Sequence, residues 1–436
     1  MTCKPLRHTA GWTVLVLAVI GLTAAVFAAW PNRWVNNTSA PNTEQNNADV
    51  ALSEVLGGEI YSLWTEFTPA GLGNSQIGFG QSFDGGLTWT PTVLTPPSGF
   101  TDEWNPSLAS LPLAAGPNGG YLMAATAYQA GGQWIGPSAI HMNISPGGGA
   151  GFPAPVLIGA STPGVNWFDY PAVEVDDWMT NPPPALGTGH IAWVEYIDGT
   201  GGDADGNGHP MDDPGDNYQI WYIYTHTVPG TPPTYPAFST PLPIWGGAVS
   251  PNQVAAHRPD MATMTVGNPV VPPGGMYITW TDGPNLYVDA TPGPGGGFGL
   301  LGGGGPVIIP IAGGPPVVNP GINIAPTAAV AIDNGFGPCP GMVYVVWADY
   351  SSGTDYDIWF MSSPDGMMGN WNPPVRVNTD PMGNGLDQWA PQISVDPNTG
   401  DIYVEYYSRR SDLSNTNIET WVAVSADCGN TWIEGV

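Results

Sequence analysis

Beyond position 4 the chain has no lysine, and past the first thirty residues its positive charges are Arg33, Arg258, Arg376, Arg409 and Arg410 alone. Five arginines against 36 acidic residues leave this body a net charge of −31. A surface so short of cations has little with which to neutralise phosphate, which argues against nucleic acid and anionic membranes as partners of the body. Divalent cations or a saline medium suit it better, simple solubility being the other reading. Cysteine is nearly as scarce. After Cys3 only Cys339 and Cys428 remain, without C-x-x-C spacing or neighbouring histidines, so the pair reads as one disulfide of an exported chain rather than a zinc site.

The N-terminus reads as a targeting segment. Lys4, Arg7 and His8 precede an apolar run from Trp12 to Ala29, with small residues at Val26-Phe27-Ala28 for cleavage. Residues 1–28 are expected to be a signal peptide, or an uncleaved anchor since the run is long enough to span a bilayer, and 29–436 an exported body, secreted, periplasmic or at the cell surface.

What the whole chain does have is turn residues and rings: 61 glycines, 49 prolines, 19 tryptophans and 17 tyrosines. Rings in that number need a core, so the glycines and prolines are punctuation in a turn-dense all-β fold. The punctuation repeats. Units start near positions 49, 106, 171, 259, 326 and 391, each with a short apolar strand usually opened by proline, a turn, and a strand rich in Tyr, Val and Trp. A third strand follows (SQIGFGQSF, SAIHMNIS, YQIWYIYTHT, NLYVDA, YDIWFMSS, IETWVAVS), and in five units a fourth (PTVLTP, APVLIG, PAFSTPLP, PVIIPI, PPVRVN). Six units of four strands predict a six-bladed β-propeller. The sixth unit stops where its outer strand should begin, and Arg33-Trp34-Val35-Asn36 resembles Val375-Arg376-Val377-Asn378, so an N-terminal strand is expected to close the ring.

The pattern S-x-D-x-G-x-x-W stands at Ser82, Asp84 and Trp89, again at Ser425, Asp427 and Trp432, and one residue longer at Ser363, Asp365 and Trp371. All three copies fall between the third and fourth strands of a unit. Ser and Asp oxygens can accept from hairpin amides, glycine supplies positive φ and Trp packs the exit, so these are structural turns, and three copies argue against catalysis.

These motifs resemble the Asp-box (BNR) repeats of the sialidase superfamily, and HRPDMA and ISVDPNTGDIYVEY resemble secreted bacterial sialidase-like propellers; the likeness covers about residues 31–436. It implies that the boxes lie on the face away from the active site. Cys339, in the first-to-second turn of blade five, and Cys428, in the box of blade six, would then share that face in a disulfide clasping the last two blades, two buried free thiols being the alternative. Sialidase activity would require three arginines on the substrate carboxylate, a Tyr/Glu nucleophile pair and an Asp acid. This sequence departs from that: blade one has no arginine in its first strand, and Arg376 falls in an outer strand.

The opposite face carries the fourth-to-first and second-to-third connections. Two residues before the first-strand prolines stand Trp104, Asp169, His257, Ile324 and Trp389, a set that should ring the channel mouth, either stacking sugars or packing. Four second strands end in Trp-x-acid, at Glu66, Glu195, Asp282 and Asp349; their recurrence points to loop anchors rather than an acid–base pair. The repeat breaks at His257-Arg258, at Arg409-Arg410 beside Tyr406 and Tyr407, and in the acidic loop 198–217. The candidate ligand-binding set is therefore Trp104, Asp169, His257, Arg258, Trp389 and Arg409, with Arg258, Asp169, Tyr406 and Arg409 the candidates for catalysis. In the acidic loop Asp198, Asp203, Asp205, Asn207, Asp212 and Asp213 alternate oxygens as calcium loops do, without the distal Glu of an EF-hand; calcium or a solvated loop are both open.

Three classes of function follow. The first is an exported, non-catalytic sialidase-like propeller binding a glycan or an extracellular protein. The second is a glycoside hydrolase of sialidase type built on Arg258, Asp169 and a mouth tyrosine. The third is a structural or assembly protein of the cell envelope.

Overall fold

Runs such as Gly275–Thr281 and Val343–Asp349 put β-branched and aromatic residues on both sides of the backbone, which suits strands packed on two faces. The computed structural model describes residues 44–435 apart from 53–58, 68–74, 95–96, 112–120, 131–135, 146–151, 153–154, 177–187, 200, 203–212, 227–237, 250–256, 315–316, 319–321, 324–326 and 416. Six antiparallel four-stranded sheets span Glu44 to Val93, Asp102 to Ala160, Asn166 to Ala248, Asp260 to Pro310, Ala328 to Arg376 and Gln388 to Gly435, each in sequential order. They form a six-bladed β-propeller whose first strands lie side by side, from blade to blade, around the axis. The outer strand of blade six is Ile433–Gly435, paired with Val422 to Val424. That corrects the expectation that the chain stops short of this strand; segment 33–36, assigned to the same edge, lies outside the described residues.

Two kinds of interaction join the blades. Apolar layers fill the gaps: Tyr218, Ile278 and Trp280 between blades three and four, Leu286, Val343 and Trp347 between four and five, and Tyr344, Phe360 and Val404 between five and six. Around the axis, side chains of one blade hold inner-strand backbone groups of its neighbour. Ser107 Oγ accepts from Val173 N at 3.0 Å, Asp260 Oδ2 from Val330 N at 2.8 Å, and Thr263 O from Asn334 Nδ2 at 2.7 Å. Inner-strand amides that no neighbouring strand could reach are thereby satisfied.

The stretches at Ser82 and Ser425 make the same turn, and the longer one at Ser363 makes a variant of it. Ser82, Ser363 and Ser425 Oγ each accept from a glycine amide at 2.8 to 2.9 Å, from Gly86, Gly366 and Gly429. Thr88 and Thr431 each give Asp84 and Asp427 an amide bond of 2.8 Å and a hydroxyl bond of 2.6 Å. Those bonds hold the exposed Asp84 carboxyl at about 2, below its usual range. Cys428, in the third copy, is bonded to Cys339 of the blade-five turn with Cα atoms 6.3 Å apart.

At the other end, three first strands carry a bulge just before a proline. Register shifts separate Trp104 from Ser107 and Trp389 from Gln392, and a third interrupts the pairing of blade three opposite Ala192 and Val194. In each, the residue before proline has positive φ: Asn105 at 46°, Tyr170 at 48° and Ala390 at 51°. Proline normally pushes its predecessor into extended conformations, so the left-handed backbone is strained there and is held by the sheet around it. Ala390→Gly is expected to raise stability by about 1 kcal/mol, read as a shift in the urea midpoint, because glycine takes this φ without a Cβ clash. An unchanged or lowered midpoint would show that the bulge is relaxed.

Candidate functional site

First strands begin at the mouth end of the ring, where the three bulges precede the prolines. Behind them a cavity of about 500 Å³ follows the channel, lined among others by Glu174, Arg258, Asp260, Gln392, Tyr403 and Glu405. Arg258 stands out. Among the described residues it makes no hydrogen bond or ion pair, while its charge acts on Asp169, Tyr170 and Tyr407. A guanidinium without such a contact retains its capacity to hold a carboxylate or another anionic group.

Asp169 is buried within the range of that charge. Its Oδ1 accepts from Asn105 Nδ2 and from Tyr170 N, both at 2.7 Å. Burial pushes the carboxyl up to about 6, against the pull of those bonds and of Arg258. The neighbouring Tyr196 and Tyr170 hydroxyls are pushed far above their usual value by burial, so neither ionises at working pH.

The other sequence-predicted residues are placed differently. His257 is buried, its ring 4.0 Å from that of Tyr218 and 5.6 Å from that of Tyr196, so it packs rather than faces ligand. Trp389 is buried too, with Tyr407 at 5.9 Å and the Arg409 guanidinium 5.2 Å from its ring centre. Arg409 itself is buried, donates to Asn415 O at 2.8 Å, and braces that tryptophan. Tyr406 is buried in a cluster in which Arg410 grips Glu434 at 2.8 and 2.9 Å and donates to Tyr406 Oη at 2.8 Å, Tyr406 itself donating to Glu434. The structure therefore gathers Asp169 and Arg258, and leaves Arg409 and Tyr406 in structural contacts. Arg376 pairs with Asp357 at 3.0 Å. The Trp104 side chain, Ile324 and Arg33 lie outside the described residues.

The second-strand acids anchor loops. Glu195 Oε2 accepts from Trp221 Nε1 at 2.6 Å, Asp282 Oδ1 from Asn285 N at 3.0 Å, and Asp349 from Ser351 N and Ala312 N at 2.6 and 2.9 Å. The Glu66 side chain is outside the described residues. So are Asp203, Asp205, Asn207 and Asp212 of the acidic loop. At its edges Asp198 accepts from Gly201 N at 2.5 Å, and Asp213 N donates to Asp216 Oδ2 at 2.9 Å. Among the described residues no three His, Cys, Asp or Glu side chains are gathered as a metal site.

Sequence reasoning missed Asn105 and Tyr170, which shape the site from the position one before the proline rather than two, and gave Tyr407 no role. A signal for Tyr407 existed: Ile402–Ser408 alternates, so that Tyr403, Glu405 and Tyr407 share one face.

No family model matches the chain, and no curated protein does. Among solved structures, an α-L-arabinofuranosidase of Fusarium graminearum is 13% identical, with a TM-score of 0.49 over 87% of this chain and 92% of that one. Trypanosoma rangeli sialidase in complex with sialic acid is 10% identical, with a TM-score of 0.45 over 88% of this chain and 54% of that one. A fucose-specific lectin of Aleuria aurantia is 10% identical, with a TM-score of 0.42 over 90% and 94%. Identity this low says nothing of activity. The chain's structural neighbours thus include sialidases and arabinofuranosidases, and its own six four-stranded sheets make it a six-bladed β-propeller.

Proposed function

We propose that the protein is an exported, non-catalytic propeller that binds a glycan at the channel mouth through a carboxylate-bearing sugar. The observation that carries this reading is the state of the arginines. Arg376, Arg409 and Arg410 are engaged in side-chain or backbone contacts, and Arg258 alone of the four described is free to meet a ligand. One arginine can hold a carboxylate in place; the three-arginine clamp that the sialidase resemblance implies is not assembled around it. Calcium in the acidic loop belongs to the same proposal and rests on the oxygen alternation from Asp203 to Gly208.

Isothermal titration of the purified protein with sialyllactose, with and without calcium, tests the reading. Arg258→Ala is expected to weaken binding at least about thirtyfold, the loss that follows truncation of one partner in a desolvated charge pair. Binding that survives the substitution, or none by the parent protein, overturns it. A hydrolytic reading has one specific observation in its favour: a carboxyl held near 6 at Asp169 suits proton transfer at neutral pH. Turnover of a fluorogenic sialoside that disappears in Asp169→Asn would establish that reading in place of the binding one.

A further inference from the structure

Blades four and five place a tyrosine at the same point of the second strand, and the two are satisfied differently. In blade four Tyr277, paired with Ala262, donates across the seam to Asp365 O of blade five at 2.8 Å and accepts from Asn268 Nδ2 at 2.8 Å. In blade five Tyr344, paired with Ala331, is buried in the seam with blade six among Phe360, Ile402 and Val404, and its Oη meets no protein donor or acceptor. Asp333 stands two residues beyond Ala331, where blade four has Met264, and its amide continues the ladder to Met342 O at 3.0 Å. Its side chain therefore shares a face with Tyr344, diagonally across the two strands and within reach of a long side chain. Asp333 is fully buried as well. Its Oδ1 accepts from Gly335 N at 3.1 Å, while Oδ2 meets no protein donor. The blade-six turn closes over this carboxyl: Pro397 O accepts from Phe336 N at 3.0 Å, and a Cβ on Gly400 would stand 3.2 Å from Asp333 Oδ2. The bridge from Cys339 to Cys428 ties the same blade-five turn to blade six.

Buried polar atoms lose free energy unless something replaces the water they leave, and these two do not reach each other. Burial and the Asp333 charge hold the Tyr344 hydroxyl above its usual value, so it keeps its proton and can donate. We propose that Asp333 Oδ2 and Tyr344 Oη hold one sealed water molecule between them, in the seam between blades five and six beneath the blade-six turn. Water can accept from the hydroxyl and donate to the carboxyl oxygen at once, and it needs only two to four polar partners. An anion is repelled by the carboxyl. Calcium asks for about six oxygens or more, and among the described residues no three His, Cys, Asp or Glu side chains gather here. The site lies apart from the channel mouth and does not depend on what binds there.

A crystal structure of the exported body at about 1.5 Å resolution, from crystals grown with calcium and with chelator, tests the proposal. A single density peak of the strength of a water oxygen is expected about 2.6 to 3.2 Å from both Asp333 Oδ2 and Tyr344 Oη, unchanged between the two crystals. A direct hydrogen bond from Tyr344 to Asp333 would overturn it, as would a seam with no density between them. A peak with several oxygens at about 2.4 Å that is lost with chelator would overturn it in favour of a cation.

Discussion

Breaking the Cys339–Cys428 bridge is expected to cost about 4 to 5 kcal/mol of stability, the chain-entropy value for a loop closed across a sequence separation of 89 residues. The cost should fall on blade six first. Its third-to-fourth turn carries Cys428, and through that turn the bridge ties the last blade to the first-to-second turn of blade five. The turn would not come free altogether, because Gly429 sits hard against Phe360, whose ring makes an edge contact with Trp432 at 5.1 Å. A Cβ at Gly429 would lie 2.0 Å from the Phe360 ring, and its φ of 87° is one that glycine alone takes easily. Urea titration of the Cys339→Ser/Cys428→Ser variant reads the total, and hydrogen exchange along 419–435 locates it. A midpoint equal to that of the parent would show that packing alone holds the two blades.

Glu103 should make the protein less stable as pH rises from acid to mildly alkaline. Its side chain is fully buried, Oε2 accepts from Ile77 N of blade one at 2.9 Å, and Oε1 meets no donor. Burial therefore pushes the carboxyl up from 4.5 to about 8. The folded chain keeps a proton that the unfolded chain releases near 4.5, so the stabilisation is complete below about pH 4.5 and is lost progressively up to about pH 8. The shift corresponds to a loss on the order of 5 kcal/mol over the whole window. Asp169, raised to about 6, acts in the same direction at the acid end. His141 opposes both, because burial lowers it to about 4 and folding then gains as pH rises to 6.5. Burial also raises Glu405, Asp357 and Asp387, so substitution of Glu103 is what isolates its share between pH 6.5 and 8. Glu103→Gln should flatten the urea midpoint across that interval and leave the variant the more stable protein at pH 8. A parent protein whose midpoint holds steady from pH 6.5 to 8, or a variant that declines as steeply, would mean that Glu103 is ionised in the fold.

The architecture was legible because a propeller writes itself into the sequence six times. Strand alternation, a proline at the head of most first strands, and the Ser–Asp–Gly turn are local signals, and their recurrence is the tertiary plan. The outer strand of blade six escaped because Ile433-Glu434-Gly435 is three residues long and reads as a tail. The candidate site was less legible. His257 and Trp389 looked like ligand groups from their positions near the prolines, and Arg409 from the break in the repeat, yet each is buried against rings or backbone from elsewhere in the chain. No spacing rule distinguishes an arginine that braces a tryptophan from one that faces a channel.

The sequence by itself determined the fold class, the blade count, the turns that carry the S-x-D-x-G pattern and the scarcity of cations, because each depends on local backbone preference or on composition. Among the four described arginines, only the tertiary structure decided which one is free. Arg376 meets Asp357 through sheet pairing, Arg410 meets Glu434 from 24 residues away, and Arg409 is covered by the first strand of its own blade. Arg258 is left facing the axis because the ring closes around it and brings Asp169 and Tyr407, from two other blades, within reach of its charge. Contacts of that separation are set by how the blades pack, and packing is not written in any one stretch of the chain.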